Sequence, residues 1–421
     1  MSDQPAGGAA QYRAVLGNSE LVALLAARLL SGVGDQLARV VLALYVLERT
    51  DGNAVLTALV LAVSYVPSTF GFAFLGSLAD RFPRRSVMLY SDVARALLVA
   101  LLAVCVARDA NVLAVIVLLV AETFSAPALS ARSSLLPEAA RSPQEYQAVV
   151  GLGTTFEQVV QVLGFLLAGL ALGVTTATWA LLFNALTFLI SALVVLAFVV
   201  PRPAAAAAGT SARRILHDAK SGLRTIVKTG SIRAVVFLLW ATAAILVATD
   251  AVALPYAADA GAPPWAATAL LAATPAGAAI GALLVARLPM QRQVQLVFPL
   301  AIASMLPLLA TAMEPPVAVT FVLWVMNGLG QGYVVTLMAL SMQLTPENRR
   351  GRVFGVAGAG FNAMAITGLI GLAAVADRSS PAAAVVLAGA VGLTIAVIGA
   401  WTWPHRQVRS AVRAAFGSAG A

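Results

Sequence analysis

A few acidic side chains stand inside stretches of this sequence that otherwise hold almost nothing polar. Asp35 lies near the middle of an apolar run over 20–47, with Arg28 two helical turns before it and Arg39 one turn after it on the same face. Glu122 falls midway along a run over 111–131. Glu157 falls in a run over 146–172 and is followed by Gln158 and Gln161. A charged side chain at the centre of a bilayer costs about 2.5–3.5 kcal/mol on insertion scales, so each such residue is a functional candidate by default. Desolvation raises the pKa of a lone carboxylate, which lets it take up and release protons near neutral pH. Asp35, Glu122 and Glu157 are therefore candidate proton or substrate groups. Asp35 and Arg39 can also pair along their own helix, and the plainer alternative is an ion pair that only stabilises a bundle. Later in the chain, Asp250 is the acidic residue well inside an apolar run, and polarity comes mainly from Asn327, Gln331, Tyr333 and Asn362. Sparse hydrogen-bonding groups among residues such as Met338 and Met342 suit an amphiphilic organic compound better than a sugar.

The elements that must hold these groups follow from composition. Sixty per cent of the 421 residues are hydrophobic and 11% are charged, against about 25% charged in soluble domains. Mean hydropathy is +0.90. Runs of the ~20 residues needed to cross a bilayer occur at 20–47, 53–77, 87–107, 111–131, 146–172 and 176–200. Six more occur at 232–256, 264–288, 294–312, 316–343, 352–375 and 381–403. The expected fold is an all-α integral membrane protein with twelve transmembrane helices in two pseudo-symmetric six-helix bundles. Residues 1–200 form the first bundle and 232–403 the second, with a cytoplasmic linker over 201–231 and a cytoplasmic tail over 404–421. In the linker Ile215, Leu216, Leu223, Ile226 and Val227 recur at helical spacing among basic residues, which predicts an amphipathic helix on the inner membrane surface.

Lysine and arginine set the orientation. Of 27, twenty-one fall in the N-terminal tail, every second connection and the C-terminal tail; three fall in the opposite connections and three within spans. That bias places both termini in the cytoplasm. The net charge of +9 is thus a topology signal rather than a nucleic-acid stripe. Cys105 is the single cysteine, so no intrachain disulfide is expected. His217 and His405, flanked by basic residues, do not make a metal site. No nucleophile with a base and no phosphate loop ending in Gly-Lys-Ser/Thr is found, so neither an enzyme, a cofactor nor ATP drive is expected. No cleavable leader is expected either.

One polar interruption, GSLADRFPRRSVMLYSD from Gly76 to Asp92, packs four charges into a short connection between two apolar runs. Carboxylate and guanidinium groups at a helix end can latch one conformation and release another. Gly76, Asp80, Arg81, Arg84 and Arg85, with Asp92 and Arg95 beginning the next helix, are expected to form a cytoplasmic gate. The two halves also echo each other: Pro137-Glu138 and Pro346-Glu347 stand 209 residues apart, and LADRFPRRSV has a weaker partner in VARLPMQRQV. Parallel repeats of this kind build a transport site at their interface.

The charged interruption resembles the conserved loop between the second and third spans of major facilitator superfamily transporters, with Pro83 where that family usually has glycine. Within that family Ser31-x-x-Gly34-Asp35, Asp92-x-x-Arg95 and PENRRGRVFG from Pro346 to Gly355 resemble the drug- and macrolide-efflux-like branch. Gly164-Phe165 departs from the Gly-Pro that efflux antiporters usually carry in the fifth span. The resemblance implies proton-coupled export of an amphiphilic drug or secondary metabolite by alternating access. It implies a monomer in a bacterial cytoplasmic membrane, with protons and lipids as partners and no nucleic acid. Asp35, Arg39, Glu122, Glu157, Gln161, Asp250, Asn327 and Gln331 are the expected proton or substrate groups. The alternative is an importer, or a lipid or lysolipid transporter, on the same fold.

Overall fold

The computed structural model describes residues 13–62, 65, 82–203, 212–346 and 349–403. Among these, eleven helices are long and apolar enough to cross a membrane. The second expected run, 53–77, begins as the short helix Ala54–Ala62, and most of it lies outside the described residues, as do Gly76, Asp80 and Arg81 of the expected gate.

The helices are α1 Ser19–Arg49, α2 Ala54–Ala62, α3 Arg84–Ala107, α4 Asn111–Thr123, α5 Ser125–Ala139, α6 Pro143–Val174, α7 Ala177–Phe198 and α8 Ala212–Lys228. They continue as α9 Gly230–Leu246, α10 Ala248–Asp259, α11 Pro264–Ala286, α12 Met290–Ala310, α13 Val317–Gly330, α14 Tyr333–Gln343, α15 Arg350–Arg378 and α16 Pro381–Thr402. Three spans are broken: α4/α5, α9/α10 and α13/α14. The first break has a local cause. Pro127 brings no N–H to the carbonyl of Thr123, four residues back, and its ring crowds that carbonyl. Helix α4 ends there, one residue after Glu122. The span also runs on to Ala139, so Arg132, counted from the sequence as part of a connection, stands on a helix with its side chain only 11% exposed.

The chain divides into two compact units. Residues 46–65 group with the second unit rather than with the rest of the first bundle. In the first unit Val15, Leu21 and Leu24 meet Leu135, Val149 and Val195 in one core. Polar knots fix its helix ends. Ser142 caps α6 by accepting from the Glu145 N–H at 3.1 Å, and Asn18 donates to the Ala139 carbonyl (2.9 Å) and to Glu145 Oε1 (3.1 Å). Arg84 pairs with Glu138, and Arg202 pairs with Glu20. That bond holds the guanidinium of Arg202 above its ordinary pKa.

In the second unit α11 and α13 approach backbone to backbone. A Cβ on Gly277 would lie 2.0 Å from the Val325 carbonyl oxygen and one on Gly281 2.1 Å from that of Leu329. The Gly-x-x-x-Gly spacing thus makes the close helix contact expected of small residues. Helix α8 is the amphipathic linker helix. It docks on α15 through Arg352 Nε to Asp218 Oδ1 (2.9 Å) and through Ile226, fully buried among Ile232, Val236, Val353 and Ala357. Its Leu223 and Val227 remain exposed. Asp377 of α15 accepts from the N–H groups of Ala54 (2.7 Å) and Val55 (3.0 Å), capping α2. On both units large apolar side chains such as Leu97, Leu101, Leu193, Leu283 and Val322 point outward, the surface a lipid-solvated helix bundle presents.

Candidate functional site

The residues with the most chemistry converge inside the first unit. Helix α1 supplies Arg28, Asp35 and Arg39 from one face; α3 supplies Asp92 and Arg95, α4 Glu122, α5 Arg132, α6 Glu157 and α7 Ser191. Gly34 allows the approach: a Cβ there would lie 1.9 Å from Asn184 Oδ1 of α7. A larger residue beside Asp35 would push α7 away from α1.

Asp35 bonds Arg95 through its carboxylate, not its helical neighbour Arg39. Arg39 reaches the backbone carbonyl of Asp35 at 3.3 Å instead, donates to Gln36 Oε1 and lies 3.9 Å from Glu122. The i, i+4 pairing that the spacing along α1 allows as the plainer alternative gives way to pairings between helices. The reason is packing: α3 brings a guanidinium to Asp35 from outside α1, and α4 brings a carboxylate to Arg39. Arg95 also stacks on Phe188, its Cζ 4.4 Å from the ring centroid, with its side chain 4% exposed.

Nearness in sequence groups Asp92 and Arg95 with the gate. The structure buries both in this network, Asp92 Oδ2 accepting from the Ser191 hydroxyl at 2.6 Å. They lie two and three helical turns into α3, which carries them away from the connection. Arg84 and Arg85, at the start of α3, bond Glu138 and the Leu196 carbonyl respectively.

Glu122 and Glu157, read from the sequence as lone carboxylates, both face arginines. Glu122 is 6% exposed and has Arg39 as its ion-pair partner. Glu157 takes a two-pronged bond from Arg28, Nε to Oε1 at 2.7 Å and Nη2 to Oε2, and has Arg132 at 3.8 Å. Gln161 follows one turn later on α6, half-buried. Sequence reasoning missed Arg132 and Ser191. Arg132 would have stood out had the Pro137 region been read as the continuation of a helix; a serine in an apolar run carries no comparable signal.

The second unit is built differently. Asn327 donates to the Ser304 carbonyl at 2.7 Å and accepts from Gln331 Nε2 at 3.0 Å, so both functions of its amide are engaged within the bundle. Thr249 and Thr274 share a hydrogen bond of 2.9 Å. Asp250, in the first turn of α10, is half-buried. No group of three or more His, Cys, Asp or Glu among the described residues has metal-binding geometry.

The sequence model of the family described as Major Facilitator Superfamily matches residues 24–320. Among solved structures, a mutant of the nucleoside transporter NupG is 13% identical with a TM-score of 0.72, covering 91% of this chain and 99% of that one. A POT family transporter in complex with 5-aminolevulinic acid is 10% identical (TM-score 0.69; 90% and 94% covered). A peptide transporter POT in complex with sulfate is 15% identical (TM-score 0.67; 92% and 95% covered). At these identities the likeness is one of fold. No protein of curated function matches the sequence.

Proposed function

The chain belongs to the major facilitator superfamily, and from that we propose that this membrane transporter exports an amphiphilic organic compound in exchange for protons, by alternating access, from a bacterial cytoplasm. The observation that supports the coupling is the network of ionisable groups in the first unit, where Asp35, Glu122 and Glu157 face Arg95, Arg39, Arg28 and Arg132, and Asp92 accepts from Ser191. Chains of carboxylates inside a membrane serve as proton relays, and a carboxylate whose arginine withdraws is left to be neutralised by a proton. Glu122 is our candidate carrier. At 3.9 Å its pairing with Arg39 is longer than the direct bonds holding Asp35 and Glu157, and Arg39 has Gln36 as a competing acceptor. Export rather than import follows the efflux-branch resemblance, and the cytoplasmic gate is proposed for the Gly76–Arg85 connection on the same ground.

The test uses purified protein in vesicles with a pH-sensitive dye inside and a panel of amphiphiles outside. The expected outcome is proton movement that depends on one or more amphiphiles, runs opposite to the solute, and is abolished by Glu122→Gln with the protein still folded. Wild-type movement of solute with no proton flux would end the coupling. Full proton coupling in Glu122→Gln would remove Glu122 as carrier. Solute and proton moving in the same direction would replace export by import.

A further inference from the structure

The charges of the first unit are not evenly shared out. Arg95 bonds Asp35 and also feels Asp92, on its own helix, and Glu122, three carboxylates around one guanidinium. Arg39 is the ion-pair partner of Glu122. At Arg28, Arg132 and Glu157 the ratio reverses: two guanidinium groups face one carboxylate. Glu157 is already taken by the two-pronged bond from Arg28, so Arg132, 3.8 Å away, holds no direct hydrogen bond to it, and the buried Nε–H of Arg132 has no acceptor among the described residues.

A largely buried guanidinium whose N–H donors go without hydrogen bonds is costly. A simple role as a membrane-surface anchor is at odds with a side chain only 11% exposed. Glu157, by contrast, is 41% exposed, against 7% for the side chain of Glu122, so this corner is the least enclosed part of the network. Gly32 lets α6 pack close to α1 beside Arg28: a Cβ there would lie 2.7 Å from Val160 Cγ1 and 3.3 Å from Arg28 Nη1. Guanidinium groups present planar, paired donors matched to carboxylate and phosphate oxygens.

We propose that Arg132 and Arg28 bind an anionic group, carboxylate or phosphate, of the transported compound, with Glu157 as the resident counter-ion that this group partly displaces. This names the charge of the solute and rests on the transporter reading. Glu157 keeps Arg28 in place while the site is empty, and the arriving anion takes the free donors of Arg132 first. The substrate is then an amphiphilic anion.

The experiment measures thermal unfolding of the purified protein in neutral detergent against 1-naphthoate, 1-naphthyl phosphate and inorganic sulfate. Chloride at equal ionic strength and 1-naphthylmethylammonium are controls, and phosphatidylglycerol forms a separate arm. At least one soluble anion is expected to stabilise the wild type saturably. Arg132→Gln should weaken that effect about tenfold, the loss of one charge-assisted hydrogen bond. Glu157→Gln should strengthen it about threefold by removing the competing counter-ion. A merely structural ion cluster would show no anion dependence in either variant. If Arg132→Gln does not fold, Arg132→Lys, which keeps the charge but loses the planar fork, should bind several-fold more weakly. The proposal is overturned if no anion stabilises the wild type, if the variants respond as the wild type does, if only the ammonium compound binds, or if only phosphatidylglycerol does. Vesicle transport separates this from the parent reading: amphiphile movement without anion preference defeats the anion site alone, whereas no movement of any solute defeats both.

Discussion

The two units solve the burial of polar groups in opposite ways. In the first, α1, α3, α4, α5 and α6 bring full charges together, each carboxylate answered by a guanidinium or a hydroxyl from another helix. In the second, α11, α12 and α13 meet through amide and hydroxyl groups and through glycines that let backbones touch. Charges between helices are costly to separate and change partner when a proton arrives. Neutral hydrogen bonds within a close-packed bundle have little to gain from rearranging. Under the proposed proton coupling, the first unit is the one that would respond to protons and the second the one that keeps its shape.

That contrast can be broken most forcefully at Arg95. Arg95→Gln leaves the largely buried Asp35 carboxylate without its counter-charge and removes the cation from the Phe188 ring, and should destabilise the protein by about 3–5 kcal/mol in denaturant or thermal unfolding. Adding Asp35→Asn should recover much of the loss, because both charges are then gone. An equal loss in single and double variants would mean that the pairing is not what matters. Asn327→Ala in the second unit removes two hydrogen bonds and leaves the Ser304 carbonyl and Gln331 short of a partner, a cost of about 1–3 kcal/mol. Its effect should not vary with pH. If it matched Arg95→Gln in size and in pH dependence, the division between the units would fail. The smallest effect is expected from Thr249→Val, which removes one hydroxyl of the Thr249–Thr274 pair at similar volume and should cost about 0.5–1.5 kcal/mol, with solute transport unchanged.

Much of this was legible beforehand. Helices α3, α7, α11, α12 and α16 fall where apolar runs of spanning length predicted them, because lipid demands an unbroken stretch of backbone whose hydrogen bonds close within it. The linker helix α8 was legible from its one apolar face, and Gly277 and Gly281 marked a surface for close helix approach, though only the structure supplied α13 as its partner. Other features needed the coordinates. A run of apolar residues does not reveal a break such as that between α4 and α5, since hydropathy is blind to the carbonyl that Pro127 leaves unserved. Spacing along α1 nominated Arg39 as the partner of Asp35; α3 supplied Arg95 from sixty residues away in sequence.

The sequence by itself determined that the chain lives in lipid, that its helices come in two related sets, and that Asp35, Glu122 and Glu157 are charges within apolar helices that require an explanation. Each of these is a property of single residues and their near neighbours, additive along the chain. Which arginine answers which carboxylate, that Asp92 and Arg95 sit in the core, and that Arg132 faces Glu157 with a donor to spare were decided by tertiary structure alone. Partner choice depends on distances between helices that no local pattern encodes.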